Sequence, residues 1–303
     1  MNRREFIATL GALTFTAKCQ HLFASNWKPN IGLQLFTVRD QLKSDKTGLL
    51  QTIAEIGYST LQSSSVDEAV DLHDMANHVG LTFTSSHTDP ATIFDPKGNL
   101  LKSYHEPFSK LDRLGIKQVV FSSPFTYFDA PKDESAAIER ADFYKRLAQS
   151  INQIHTNKDI GDIEILFHPH SVDFGKLLLT TPFQLLTDNT EPTSLGFEVD
   201  TFWTSMAGVD PANLIKALGT RCRSLHLSDR RPNFKNSYNS LTTFMAKPNP
   251  AAPLGRGILD FDSICNEIRA IQCDHLYIEQ AWIGDSYKET LENSIQLLTN
   301  HFS

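Results

Sequence analysis

From Ile31 onward the chain alternates between two spacings of apolar residues. Short, nearly continuous apolar runs are followed by longer stretches in which apolar positions recur every third or fourth residue. The first spacing is that of buried strands and the second that of amphipathic helices. Eight runs read as strands: IGLQLF (31–36), STLQSS (59–64), LTFTSS (81–86), KQVVFS (117–122), IEILFH (163–168), LGFEVD (195–200), CRSLHL (222–227) and HLYIEQ (275–280). Helical patterns lie between and after them at Gly48–Ile56, Val66–Val79, Lys102–Leu114, Ala136–Ile154, Phe174–Leu186, Pro211–Leu218, Phe261–Ile271 and Tyr287–Thr299. Asp210 precedes Pro211 and Asp260 precedes Phe261. Each can accept hydrogen bonds from the unpaired amides of a first helical turn.

Eight βα units with no Pro/Gly/Ser-rich linker predict a single-domain (β/α)8 TIM barrel over 26–303. An open doubly wound sheet would use fewer units and often a Gly-rich dinucleotide loop, and no G-x-G-x-x-G follows an early strand. The longest stretch with neither spacing, Asp229–Gly257, follows the seventh strand. In a barrel it rises over the catalytic face, the place for a lid.

Composition narrows the function classes. A length of 303 residues with 40% hydrophobic residues suits one large core. A net charge of -7 argues against nucleic acid as the main partner, because phosphate neutralisation needs a basic surface. No apolar run reaches the roughly 20 residues of a membrane span. The leading MNRREFIATLGALTFTAKCQHLFA sets Arg3-Arg4 before a mildly apolar stretch. That is the layout of a twin-arginine export signal. Residues 1–24 are therefore expected to be a leader and the barrel to be periplasmic or otherwise exported, with a cytoplasmic location as the alternative. Cys222, Cys265 and Cys273 form no C-x-x-C pair and read as small buried hydrophobes.

In a TIM barrel the reacting groups sit where strands exit at the C-terminal rim. Here His87 ends the third strand, His168 the fifth and Asp200 the sixth. His226 lies near the end of the seventh and Glu279 near that of the eighth. A lone strand-end histidine is more often structural than a ligand, but four candidates on four successive strands converge on one point. His168, Asp200, His226 and Glu279 are thus expected to hold one divalent ion, with Mn²⁺, Zn²⁺, Co²⁺ and Fe²⁺ all compatible with this donor set. Such a site leaves positions open for substrate oxygens.

The blocks GLQLFTVRDQL, FHPHSVDF, VDTFWTSMAGVDP, RSLHLSD, PLGRGILDF and YIEQ occur in that order. Together they resemble the sugar phosphate isomerase/epimerase family of xylose isomerase-like barrels. Relatives include ketose 3-epimerases, inosose dehydratases, hydroxypyruvate isomerases, lyases acting on 3-keto-glycosides and type-IV endonucleases. The resemblance implies metal positions at Asp200, His226 and Glu279, with His168 where many ketose epimerases carry a glutamate. Glu279 is then the one metal-site glutamate available as a base. The His-x-His form looks like the dehydratase and lyase branches and makes His170 the second candidate acid or base, or a donor orienting His168 or Asp200. Ser228 replaces a lysine common in relatives, and Ala281 an aspartate. Arg230, Arg231 and Arg256 are candidate replacement cations, or ordinary surface charges. His87 and Trp203 are expected to face the substrate, Trp203 as an apolar wall or else as a core residue.

The chemistry implied is proton abstraction beside a carbonyl, with the ion stabilising the enediolate and Glu279 or His170 taking the proton. Return of the proton gives a sugar isomerase or epimerase; expulsion of a β-substituent gives a lyase or dehydratase on a keto-sugar, inosose or 3-keto-glycoside. The partner is a small sugar or keto-sugar, and a homo-oligomer is compatible. A type-IV-like endonuclease is disfavoured by the acidic charge and too few ligands. A non-catalytic sugar-binding barrel is the rival from another class.

Overall fold

A computed structural model describes residues 27–157, 160–280 and 286–303. The expected leader over 1–24 and Ala281 lie outside the described residues. Eight parallel strands close into a barrel: β1 (Asn30–Gln34), β2 (Thr60–Ser63), β3 (Thr82–His87), β4 (Gln118–Phe121), β5 (Glu164–Phe167), β6 (Gly196–Asp200), β7 (Cys222–Leu227) and β8 (His275–Ile278). Each pairs with its neighbours in sequence, and β1 closes on β8 through Ile31↔Leu276 and Gly32↔Tyr277. The expected TIM barrel is the observed fold.

Alternation along the strands places the site. Leu33, Leu61, Val199, Leu225, Leu227 and Ile278 face outward into the apolar layer beneath the helices. Because side chains alternate across a strand, Gln62, Glu198, Asp200, Ser224, His226 and Glu279 turn into the barrel. Near the bottom, Tyr277 fills the interior and its hydroxyl meets Thr84 Oγ1 at 2.7 Å. Gly32 makes room for it. A Cβ there would stand 2.8 Å from the Tyr277 ring and 2.9 Å from the Thr60 carbonyl.

The outer helices are α1 (Lys46–Ile56), α2 (Val66–His78), α3 (His105–Arg113), α4 (Glu134–Asn157), α5 (Pro182–Asn189), α6 (Pro211–Leu218), α7 (Phe261–Ile271) and α8 (Tyr287–Phe302). Asp210 and Asp260 cap α6 and α7 as expected, accepting from Asn213 N at 2.9 Å and Ser263 N at 3.0 Å. The fifth helix corrects the sequence reading of Phe174–Leu186. Gly175 is extended, Leu178 has φ 58°, and Leu177 and Thr180 bridge one another, so the chain turns before α5 begins. The true start is Thr181, which accepts from Gln184 N at 3.1 Å, followed by Pro182 in the first turn.

The segment 229–257 covers the cavity mouth as expected, yet it is ordered. Asp229–Arg230 pairs antiparallel with Ala251–Ala252, and a short helix runs over Ser240–Met245. The buried Asp229 carboxylate ties the base, accepting from Gly257 N at 2.7 Å and Leu259 N at 3.1 Å. Ser240 Oγ anchors the middle by accepting from Val172 N at 3.0 Å. No described helix is long and apolar enough to cross a membrane.

Gly32→Ala is expected to destabilise the barrel by about 1–3 kcal/mol through overpacking against Tyr277 and the β2 backbone. Urea unfolding of the two proteins measures it.

Candidate metal centre and active site

The site is built around Glu198, which is fully buried at 0% exposure. Its Oε1 lies 2.9 Å from His87 Nε2, 3.1 Å from His168 Nδ1 and 2.9 Å from His226 Nε2. Its Oε2 accepts from Gln62 Nε2 and Ser224 Oγ, each at 2.6 Å. Burial pushes this carboxyl up, but His226 and the hydrogen bonds of the three imidazoles outweigh it and leave the pKa well below the usual value. A buried anion is tolerable only with such a full set of partners.

His226 carries the network upward. Its Nδ1 stands 3.0 Å from Glu279 Oε2 and 3.9 Å from Asp200 Oδ2. Burial disfavours a charged His226, yet Glu198 and Glu279 on its two sides hold its pKa well above the ordinary value. Asp200 is fixed by a second duty: its Oδ1 accepts from Trp203 N at 2.8 Å, capping the short helix Thr201–Met206. Burial and the adjoining Glu279 carboxylate raise Asp200 well above its usual value. Glu279, also pushed up by burial, is drawn down to about 2 by His226.

One donor atom each from Asp200, His226 and Glu279 lies within 4.8 Å of the others, as do those of His87, His168, Glu198 and His226. The first set fits a divalent ion. Separations of 3.0 and 3.9 Å are edges of a coordination sphere with bonds of about 2.0–2.2 Å. Two facing carboxylates oppose each other's ionisation, an expense that a cation between them removes. With Nδ1 of His226 as ligand, its Nε2 hydrogen would go to Glu198 or Gln62, the usual outer partner of a metal-binding imidazole.

His168 follows β5 directly and is buried. Burial lowers its pKa to about 4 despite the hydrogen bond to Glu198. After Pro169 comes His170, whose ring packs at 5.0 Å from both His168 and Trp203 and at 4.7 Å from Phe128. Its buried Nδ1 has no hydrogen-bond partner among the described residues. Burial, then the nearby His168, hold its pKa well below the ordinary value. Buried Asp173 fixes the turn, accepting from His170 N at 2.8 Å and from Tyr144 Oη at 3.0 Å.

The structure thus brings His168, His170, Asp200, Trp203, His226 and Glu279 to one cavity of about 320 Å³. His87 lines it too, but its Nε2 is bound to Glu198. The three candidate arginines are elsewhere, and Arg231 Nε donates to Ala251 O at 2.7 Å within the covering segment. Arg230 donates to Ser205 O, Asn236 Oδ1 and Phe234 O, and so braces the covering segment. Arg256 lines an outer groove with Asn293 and His301. Ser228 donates its hydroxyl to the Glu279 carbonyl and pins the end of β8 to that of β7. Glu198, Gln62 and Ser224 were missed from sequence. Glu198 had a signal: in GFEVD it stands two residues before Asp200 and so shares its inward face. Gln62 and Ser224 had none beyond being polar residues inside strands.

The fold and this buried cluster of imidazoles and carboxylates at the strand ends define a TIM barrel with a metal-type site. A sequence model of the xylose isomerase-like TIM barrel family matches residues 108–301, and the chain belongs to that family. Among solved structures it resembles a sugar phosphate isomerase/epimerase from Parabacteroides distasonis ATCC 8503 (TM-score 0.66, 21% identity, 94% of this chain and 99% of that one). It also resembles a probable 3-DHS dehydratase involved in petrobactin synthesis from Bacillus anthracis (TM-score 0.62, 17% identity, 90% and 99%). A third is a D-psicose 3-epimerase from Clostridium cellulolyticum H10 (TM-score 0.59, 14% identity, 89% and 97%). At these identities the likeness is one of fold. Comparison with curated proteins gives no match.

Asp173 gives a pH test of the turn. Burial pushes its pKa from 3.8 up to about 6, only partly offset by hydrogen bonds from Ser123, His170 and Tyr144. A carboxyl whose folded pKa lies above its unfolded value holds its proton more tightly when folded. Stability from this group is therefore full below the unfolded pKa and falls as pH rises through about 6. The span is about 3 kcal/mol. Asp173→Asn is expected to lack that descent, read as the difference between the two proteins' unfolding free energies across this range.

Proposed function

We propose that the protein is a metal-dependent sugar isomerase/epimerase that removes a proton beside a carbonyl. The observation that carries the reading is the convergence of Asp200, His226 and Glu279 at the strand ends, inside one cavity with His170. Those three residues would hold the ion; the Nδ1 of His168, expected as a fourth ligand, is taken up by Glu198 rather than by this group. When bound, it supplies a positive charge that favours negative charge building up on the carbonyl oxygen as the proton leaves. Glu279 and His170 are the proton carriers: one is a carboxylate, the other a neutral imidazole whose Nδ1 is not committed to a protein partner. Glu198 keeps His87, His168 and His226 oriented, and the ordered 229–257 segment keeps water from the reacting carbon.

A second reading, elimination on a keto-sugar, is favoured by the pairing itself. A glutamate and an imidazole are unlike groups, suited to taking a proton and then protonating a leaving oxygen. Proton NMR in D₂O with metal-loaded protein separates the two. Incubation with ketoses and with 3-keto-glycosides is expected to give deuterium at the α-carbon without elimination; release of the aglycone would establish the lyase instead. Glu279→Gln and His170→Gln should each slow exchange by roughly 10²–10⁴-fold, and an undiminished rate removes that residue from the chemistry.

Metal content after dialysis gives an independent measure. His226→Ala is expected to abolish stoichiometric retention while far-UV circular dichroism persists. Glu198→Gln should weaken retention by roughly 10–100-fold. Unchanged metal content in His226→Ala would take the centre away from this histidine.

A further inference from the structure

The end of the barrel opposite the cavity holds two thiols that the chemistry above does not use. Cys222 opens β7, and Cys273 stands two residues before β8. These strands pair in parallel with Ser224↔His275 and His226↔Tyr277 in register. Side chains alternate along a strand, so Cys222 shares the inward face of Ser224 and His226, and Cys273 that of His275 and Tyr277. One further step down the same register sets Cys222 opposite Cys273. Neighbouring strands run about 4.8 Å apart, inside the span of about 4.4–6.8 Å between Cα atoms that a disulfide bridges. The ladder does continue below His275, since Asn30 N donates to Asp274 O at 2.7 Å.

The surroundings of the two thiols suit a bonded pair. Both are buried in the main apolar core, and both are free thiols in this structure. Cys222 Sγ lies 3.8 Å from Ser224 O, and Cys273 Sγ 3.9 Å from His275 O, so the two side chains take the same pose. The thiols also hydrogen-bond one another. That contact, followed by burial, holds Cys222 well above the ordinary thiol pKa. A thiol so raised carries little thiolate near neutral pH and is inert once buried. The stage at which the pair can react is therefore folding, before this end of the barrel closes. Cys265 is placed differently, on the outer helix α7.

We infer that Cys222 and Cys273 are a structural disulfide site, stapling the start of β7 to the entrance of β8 when the chain folds beside a small disulfide oxidant. The Cys222 thiolate attacks one sulfur of the oxidant and expels the other as a thiolate. The Cys273 thiolate then attacks the Cys222 sulfur of this mixed disulfide and expels the second. The two cysteines lose two protons and two electrons, and the oxidant is reduced to two thiols. The bond closes a loop over 222–273 that contains the covering segment and α7. Closing so long a loop restricts the unfolded chain. It also fixes, from below, the two strands whose upper ends present His226 and Glu279.

The test refolds the full chain from urea, once with dithiothreitol and once with a mixture of oxidised and reduced glutathione. Each product is then alkylated under denaturing conditions and mapped by mass spectrometry of its peptides without reduction. The glutathione product is expected to yield a crosslinked pair of peptides joining Cys222 to Cys273, with Cys265 alkylated. Alkylation of both Cys222 and Cys273, or a bond from either to Cys19 or Cys265, overturns the inference. Stability gives the second readout. The oxidised protein should unfold at a urea midpoint roughly 1 M above that of the reduced one, and an equal or lower midpoint overturns the staple. Cys222→Ala and Cys273→Ala, each checked by circular dichroism, should show no gain from the oxidant. A gain that survives in either variant overturns the inference as well.

Discussion

A single negative charge buried inside the barrel organises everything above it. Glu198 has no exposure, so each of its lone pairs must find a donor within the protein. Three imidazoles, an amide and a hydroxyl from four different strands or strand ends supply them. This accounts for a feature unusual in a barrel interior, which is normally filled by branched apolar residues. Here the middle layer is polar because the carboxylate needs it so. The orientation of His226 follows, since one ring nitrogen turned down to Glu198 leaves the other turned up to Asp200 and Glu279.

Asp200 links the site to the scaffold by a different route. One oxygen holds the amide end of the Thr201–Met206 helix while the other faces His226. The same helix carries Trp203 against His170. The position of the apolar wall and that of the candidate ligand are therefore not independent. Asp173 does the corresponding work on the facing turn, where it holds the His170 backbone. Such indirect supports are what give a catalytic constellation its precision.

The barrel was legible because its signals are local and repeated: eight apolar runs, helical spacing between them, and aspartates at helix starts. The strand-end ligand candidates were legible for the same reason, since the rim rule converts strand order into spatial proximity. The fifth helix was misread because the apolar residues Leu177–Leu179 mimic helical spacing, while the left-handed backbone at Leu178 and the Leu177–Thr180 bridge that break it fall on residue types that do not announce a turn. Glu198 escapes the rim rule because it lies two residues before the end of its strand, although period-two alternation places it on the same face as Asp200. Arg230 and Arg256 illustrate the converse difficulty. A long loop fixes neither the direction nor the partners of its cations, and these two are spent on bracing the loop and lining an outer groove.

The knot of hydrogen bonds at Asp229 has an evolutionary consequence. Both ends of the roof meet at this one carboxylate, and the intervening chain is tied to the loops above the strands by Ser240, which accepts from Val172 N and donates its own N–H to the Phe128 carbonyl, and by Ser237 N, which donates to the Met206 carbonyl. None of these tethers involves Glu198 or the three histidines around it, so the residues between them can vary while the cluster beneath stays as it is. Variation there would alter the lining of the cavity mouth, to which Leu241 and Phe244 contribute, without disturbing the polar layer below.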